Sequence, residues 1–319
     1  GGHLCAKQVL LSSERRMLQK APMNRSSQST TLALVAALTA VTIWGASPAA
    51  TAVAGRSIPP ELVGGLRSLL AGFLLLPLLI QFRDRFPVGW PERIELIVGG
   101  FFGFMAYPLL LSVGVVTTSV THASVILASA PVFTGLISFL TTKQWPAPLW
   151  WCGCMISLSG ILVLVVSRSP AGTTGMPATL LGDGLVLLSV LFASIGYVFG
   201  GRCSARMGQW PATAWSIAAG ALAFAPFTVP QAVGFDWANP SLIELLALVF
   251  LVLLVTIVGY ALWFYALGEA GAAAVAPLQF LQPVMGIGIA VLFLGEPLSL
   301  TVLTSGALII LGVWLARRS

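Results

Sequence analysis

Three of the ionisable side chains within, or at the edge of, long apolar runs stand out as candidates. Arg67 stands in ELVGGLRSLLAG, His122 in TTSVTHASV and Glu296 in FLGEPLS. A charge inside hydrocarbon costs about 2.5–3.5 kcal/mol on insertion scales, so each is a candidate for function. Arg67 could snorkel, bond to backbone carbonyls, or capture a carboxylate. His122 could carry a proton or be a hydrogen-bonded interfacial histidine. Glu296 closes its run just before another helix, where an acid reads either as a helix-start residue beside the helix dipole or as a coupling group.

Uncharged polar groups at depth carry a second signal, because an unpaired hydroxyl or amide there is penalised. Ser47, Ser124, Gln279 and Gln282 are of this kind and must face protein or water. Gln279 and Gln282 are three apart, which puts them on one face of a continuous helix just before Pro283. Pro283 and Pro131 would each free a carbonyl one turn back, and paired kinks of this sort point to a binding site. Trp44 and Tyr107 lie deeper than an interfacial belt and fit either a cavity wall or ordinary helix packing.

Enzyme chemistry finds little to stand on. The chain's histidines are His3 and His122, and no HExxH, GxSxG or Gly-rich phosphate loop occurs. No metal, cofactor or nucleic acid is expected. Cys152 and Cys154, two apart in an apolar run, point away from one another on a helix and are given no role.

The elements that would position these residues follow from composition. Hydrophobic residues make up 57% of the chain and charged residues 8%, with a mean hydropathy of +0.96. Soluble domains carry about 25% charged residues, so such a surface belongs in lipid. Apolar runs long enough to cross a bilayer fall near 31–52, 61–81, 94–114, 119–140 and 147–167, then near 182–201, 211–230, 243–265, 271–294 and 299–316. Residues 1–30 read as a cytoplasmic tail. The chain reads naturally from Met23, and Val9–Leu11 is too short for the apolar core of a signal peptide.

With the N-terminus inside, the tail basic residues, Arg83, Arg85, Arg93, Lys143, Arg202, Arg206, Arg317 and Arg318 all fall inside, whereas Arg56 and Arg168 fall outside. That asymmetry is the positive-inside pattern and places both termini in the cytoplasm of a cell (inner) membrane protein. It also accounts for the net charge of +6 without nucleic acid.

The polar stretch 168–181 reads as a linker between residues 31–167 and 182–319. A shift of 152 residues lays ASAPVFTGLISFL over FLQPVMGIGIAVL and pairs Pro131 with Pro283 and Gly160 with Gly312. Each half holds an odd number of spans, so the halves would be inverted. The expected fold is all-α integral membrane: ten transmembrane helices as two inverted five-helix repeats around a central cavity, an architecture suited to alternating access.

Several segments together resemble the EamA-type members of the drug/metabolite transporter superfamily over about residues 31–316. They are IWGAS around Trp44, PPELVGGLRSLLAG around Arg67, VTTSVTHASVILASAPVFTGLISFL, GDGLVLLSVLFASIGYVFGGR, and LQFLQPVMGIGIAVLFLGEPLS with Glu296. The resemblance implies a basket of helices and export of amino acids or other metabolites. Where it implies an acid after the fourth span, this chain carries Gln144, which puts any role needing two acids in doubt. The function expected is export of a small-molecule solute, amino acids including aromatic ones foremost, with membrane lipid as surroundings and protons as the candidate coupling ion. Small-drug efflux is the alternative, and a channel the reading from another class.

Overall fold

The computed structural model describes residues 27–143, 147–166, 179–270, 278–279 and 281–318. Gln144, most of the linker and residues 1–26 lie outside these. The described elements are all helical, in this order: α1 Ser27–Gly45, α2 Ser47–Ala54, α3 Pro60–Leu74, α4 Leu76–Gln81, α5 Trp90–Phe101, α6 Tyr107–Thr117, α7 Val120–Leu127, α8 Ala130–Thr142 and α9 Pro148–Val166. They continue as α10 Leu180–Met207, α11 Gln209–Gly234, α12 Leu242–Phe250, α13 Gly259–Ala270, α14 Leu281–Leu294 and α15 Leu300–Arg317. A π-helical turn, Phe102–Ala106, joins α5 to α6, and a longer one, Leu251–Val258, joins α12 to α13.

Six stretches are long and apolar enough to cross a membrane: Thr31–Ala54, Trp90–Thr117, Val120–Thr142, Leu180–Met207, Gln209–Gly234 and Leu242–Trp263. Shorter apolar helices occupy Pro148–Leu164, Leu281–Leu294 and Leu300–Ala316. Large apolar side chains such as Phe73, Ile80, Leu222, Leu292 and Phe293 are exposed, as expected where the solvent for the outer surface is hydrocarbon.

Several of these stretches are interrupted, and prolines explain where. Pro48, Pro77 and Pro131 sit in the first turn of α2, α4 and α8, each just after a short break. A first turn has no intrahelical use for the missing N–H, so proline is tolerated there and restarts the helix. Near Pro131 the apolar run is broken just before the proline, at Ala128–Ser129, and Pro283 is the third residue of Leu281–Leu294. Pro108 acts differently. It leaves the carbonyl of Phe104 without its helical donor, the backbone widens into the π turn, and the Ser68 hydroxyl donates to that carbonyl from α3.

Three helix starts in the second half fall one fixed step after helix starts in the first. Trp90 and Leu242, Tyr107 and Gly259, and Pro148 and Leu300 are each 152 residues apart. Helices pack most extensively as α9 on α15, α11 on α3 and α10 on α6. Glycine permits the closest approaches: a Cβ on Gly153 would fall 2.4 Å from the Gly312 carbonyl, and one on Gly196 2.5 Å from Gly103 Cα.

Candidate functional site

Arg67 is the group around which a site forms. It lies seven residues into α3, roughly 10 Å along the helix axis from its start, and is only 4% exposed. Its Nε donates to Thr256 Oγ1 at 2.8 Å, and its guanidinium lies 5.7 Å from the ring centre of Tyr107. Thr256 is available because the π turn shifts its register: its hydroxyl donates to Leu251 O at 2.9 Å, five residues back, and still accepts from Arg67. Among the described residues no carboxylate pairs with Arg67. The segment 271–277, outside the description, reads GAAAVAP and carries no acid.

Arg67 faces a cavity walled by Trp44, Ser47, Tyr107, Tyr197, Tyr260 and Gln282. A second cavity adjoins it, sharing Tyr107, Leu127, Tyr197 and Gln282 and adding Gln279 and Pro283. Trp44 Nε1 donates to Val255 O at 3.0 Å, and its ring packs 5.2 Å from Tyr260 and 5.3 Å from Trp263. The indole therefore stands as a fixed wall with its one donor used. Ser47 opens α2 directly after the break at Ala46. Its buried Oγ has no partner among the described residues, and it lines the cavity, where it can bond a polar group.

The residues singled out from sequence thus divide. Trp44, Ser47, Arg67, Tyr107, Gln279 and Gln282 come together around the two cavities. Gln279 lies in a short 3-10 turn ahead of α14 and Gln282 in the first turn of α14, and both line the second cavity. Ser124 does not join them. Its hydroxyl donates to Val120 O at 2.8 Å and presses against the Gly286 backbone, where a Cβ would meet it at 2.5 Å. It is a packing residue between α7 and α14.

His122 and Glu296 gather elsewhere, at the start of α7. His122 is 1% exposed, and its Nδ1 lies 3.2 Å from both carboxylate oxygens of Asp183 in the first turns of α10. Thr118 Oγ1 donates to Asp183 Oδ1 at 2.6 Å. Glu296 accepts from Val120 N at 2.9 Å, Thr121 N at 2.8 Å and Thr121 Oγ1 at 2.5 Å. Glu296 is therefore the anionic cap of α7, whereas Ser299 caps α15 by accepting from Val302 N at 3.2 Å. The expectation that Glu296 serves the helix following it is corrected. Gly295, at φ +68, turns the chain out of α14 so that the acid can reach back. Sequence reading passed over Asp183 because it stands at the edge of its apolar run, where an acid looks like an ordinary helix-start residue. The signal available was GDG opening a long apolar stretch.

Comparison with known proteins places this geometry. The EamA-like transporter family matches residues 31–166 and 180–318. The chain belongs to that family. It is 28% identical over 281 residues to an uncharacterized transporter, YdeK, of Bacillus subtilis (strain 168), covering 87% of this chain and 94% of that one. It is 26% identical over 290 residues to a probable amino-acid metabolite efflux pump of Salmonella typhimurium (strain LT2), covering 88% and 92%. A solved structure described only as a crystal structure of a protein shares the fold at a TM-score of 0.59 and 20% identity, covering 90% of this chain and 98% of that one. The EamA-type chain is thus a multi-pass membrane transporter for a small-molecule solute.

Proposed function

We propose that this EamA family member is a secondary transporter of the cell (inner) membrane that exports small carboxylate-bearing metabolites, amino acids foremost, by alternating access. The carrying observation is Arg67: a buried guanidinium with no carboxylate partner among the described residues, facing a cavity beside the unpartnered Ser47 hydroxyl. A buried cation without a counter-ion is costly, and a solute carboxylate would supply the bidentate partner. The start of α2 at the same cavity adds N–H groups and the positive end of a half-helix. Trp44, Tyr107, Tyr197 and Tyr260 offer flat apolar walls to the rest of the solute. The name of the Salmonella relative, an amino-acid metabolite efflux pump, supports the same cargo class.

The arrangement proposed is ten crossings as two inverted halves, both termini cytoplasmic. Support comes from the common 152-residue step of helix starts and from the inside excess of Lys and Arg. Helices broken at Ala46 and Ala128–Ser129 on the cavity side are the form midplane sites take in such folds.

The deciding experiment is counterflow of labelled amino acids in proteoliposomes, competed with a panel of cationic drugs and nucleotide sugars. Saturable exchange inhibited by amino acids supports the proposal. Inhibition by the drugs alone would move the cargo to drug efflux, and a single-channel conductance would sink the carrier reading.

A further inference from the structure

We infer that His122 and Asp183 form a proton-binding site that governs closure of the outer end of the molecule, separate from the cargo cavity. The inference rests on the transporter reading above for its orientation: in that topology the starts of α7 and α10 and the segment holding Glu296 all lie at the extracytoplasmic end.

The site joins the two halves. His122 belongs to the first, Asp183 to the second, and the pair is buried where α7 packs on α10. Glu296 binds α7 to the end of α14 through the amides of Val120 and Thr121. Thr179 Oγ1 adds a bond from the start of α10 to Thr117 O at 2.7 Å. Opening this end must pull the pair apart and wet it.

Charge balance then dictates the role of the proton. The ionisable groups close to His122 are Asp183 on α10 and Glu296 after α14. Of the other elements packed on α7, α2 and α14 carry no ionisable residue, α6 carries Tyr107 at its far end, α9 only Cys152 and Cys154, and α15 only Arg317 at its far end. With one proton on the imidazole, His122 and Asp183 are a neutral ion pair, and Glu296 is balanced by the N-terminus of α7. Remove that proton, and the closed state buries an Asp183 carboxylate that keeps its bond from Thr118 but has lost its cationic partner, near a second acid. The Nε2 of His122, buried and with no partner among the described residues, gains nothing from the protein in either form. Closure therefore takes up one proton from the external solution, and opening returns it there. The pair acts as an acid-favoured latch and does not by itself carry protons across.

The test is the pH profile of amino-acid counterflow in proteoliposomes, from about pH 5 to about pH 8, the span across which an ordinary histidine changes charge. Wild type should slow roughly tenfold towards the alkaline end, because the outer side no longer closes. Asp183→Asn, which removes the buried acid, should be nearly flat. His122→Gln leaves the acid alone, so that closure needs a proton on Asp183 itself, and its fall should begin at lower pH than in wild type. Distances between spin labels at the exposed outer positions Leu180 and Leu298 should lengthen with pH in wild type but not in Asp183→Asn. If counterflow proceeds but wild type is flat, or if both variants merely scale the rate and keep the wild-type profile, the latch is wrong while the carrier stands. If wild type shows no counterflow yet the label distances follow pH as expected, the latch stands and the transporter reading fails.

Discussion

Arg67 carries the binding claim, and its neighbours say how it should respond to substitution. Arg67→Gln removes the charge meant for a solute carboxylate. Truncating one partner of a desolvated charge pair costs about 2–5 kcal/mol, so apparent cargo affinity should fall by roughly 30-fold or more, read from the half-saturation of counterflow. Thr256→Val leaves the charge but deletes the bond that aims it, and should cost about 1–2 kcal/mol of affinity by the same assay. An unchanged half-saturation in both variants would show that Arg67 only supports the fold. These residue types were legible in the sequence: Arg67, Trp44, Ser47, Tyr107 and Gln282 do meet at one cavity. The partners were not. Nothing in sequence spacing relates Arg67 to Thr256, 189 positions away, or His122 to Asp183, because those contacts exist only once two distant helices pack.

At the scale of elements, the apolar runs were legible in the sequence, since a long continuous hydrophobic stretch satisfies its backbone in lipid as a helix. What the sequence concealed is where those runs break. A proline in an apolar run reads as a kink, yet Pro48 and Pro131 prove to restart a helix after a break, while Pro108 widens one into a π turn. The difference depends on whether a neighbouring group can satisfy the freed carbonyl, as Ser68 does for Phe104. Ser68→Ala would leave that carbonyl unpaired in the interior and should destabilise the protein by about 1–3 kcal/mol, seen as a lower unfolding midpoint in detergent. Glu296→Gln keeps the shape of the α7 cap but removes its charge. A loss of about 1 kcal/mol is expected in the same measurement, and no loss would mean that α7 needs no anionic cap.

For the whole molecule, α10 is the element that carries charged ties at both of its ends. Its start is tied to α7 by Asp183 and His122, and its far end carries Arg202 and Arg206, which bond Glu95 of α5 at 3.4 and 2.5 Å. Both ties are made in this structure, and the alternating access proposed above would have one end release while the other holds. The Glu95 pairs are partly exposed, and exposed pairs contribute about 1 kcal/mol or less, so Glu95→Gln should shift the balance of states only a fewfold. The measurement that tests the central claim most directly is counterflow of a labelled amino acid in proteoliposomes holding wild type or Arg67→Gln, with folding checked by the unfolding midpoint. The account predicts saturable exchange in wild type and a half-saturation raised at least roughly 30-fold in the folded variant. Exchange of equal affinity in both would contradict it.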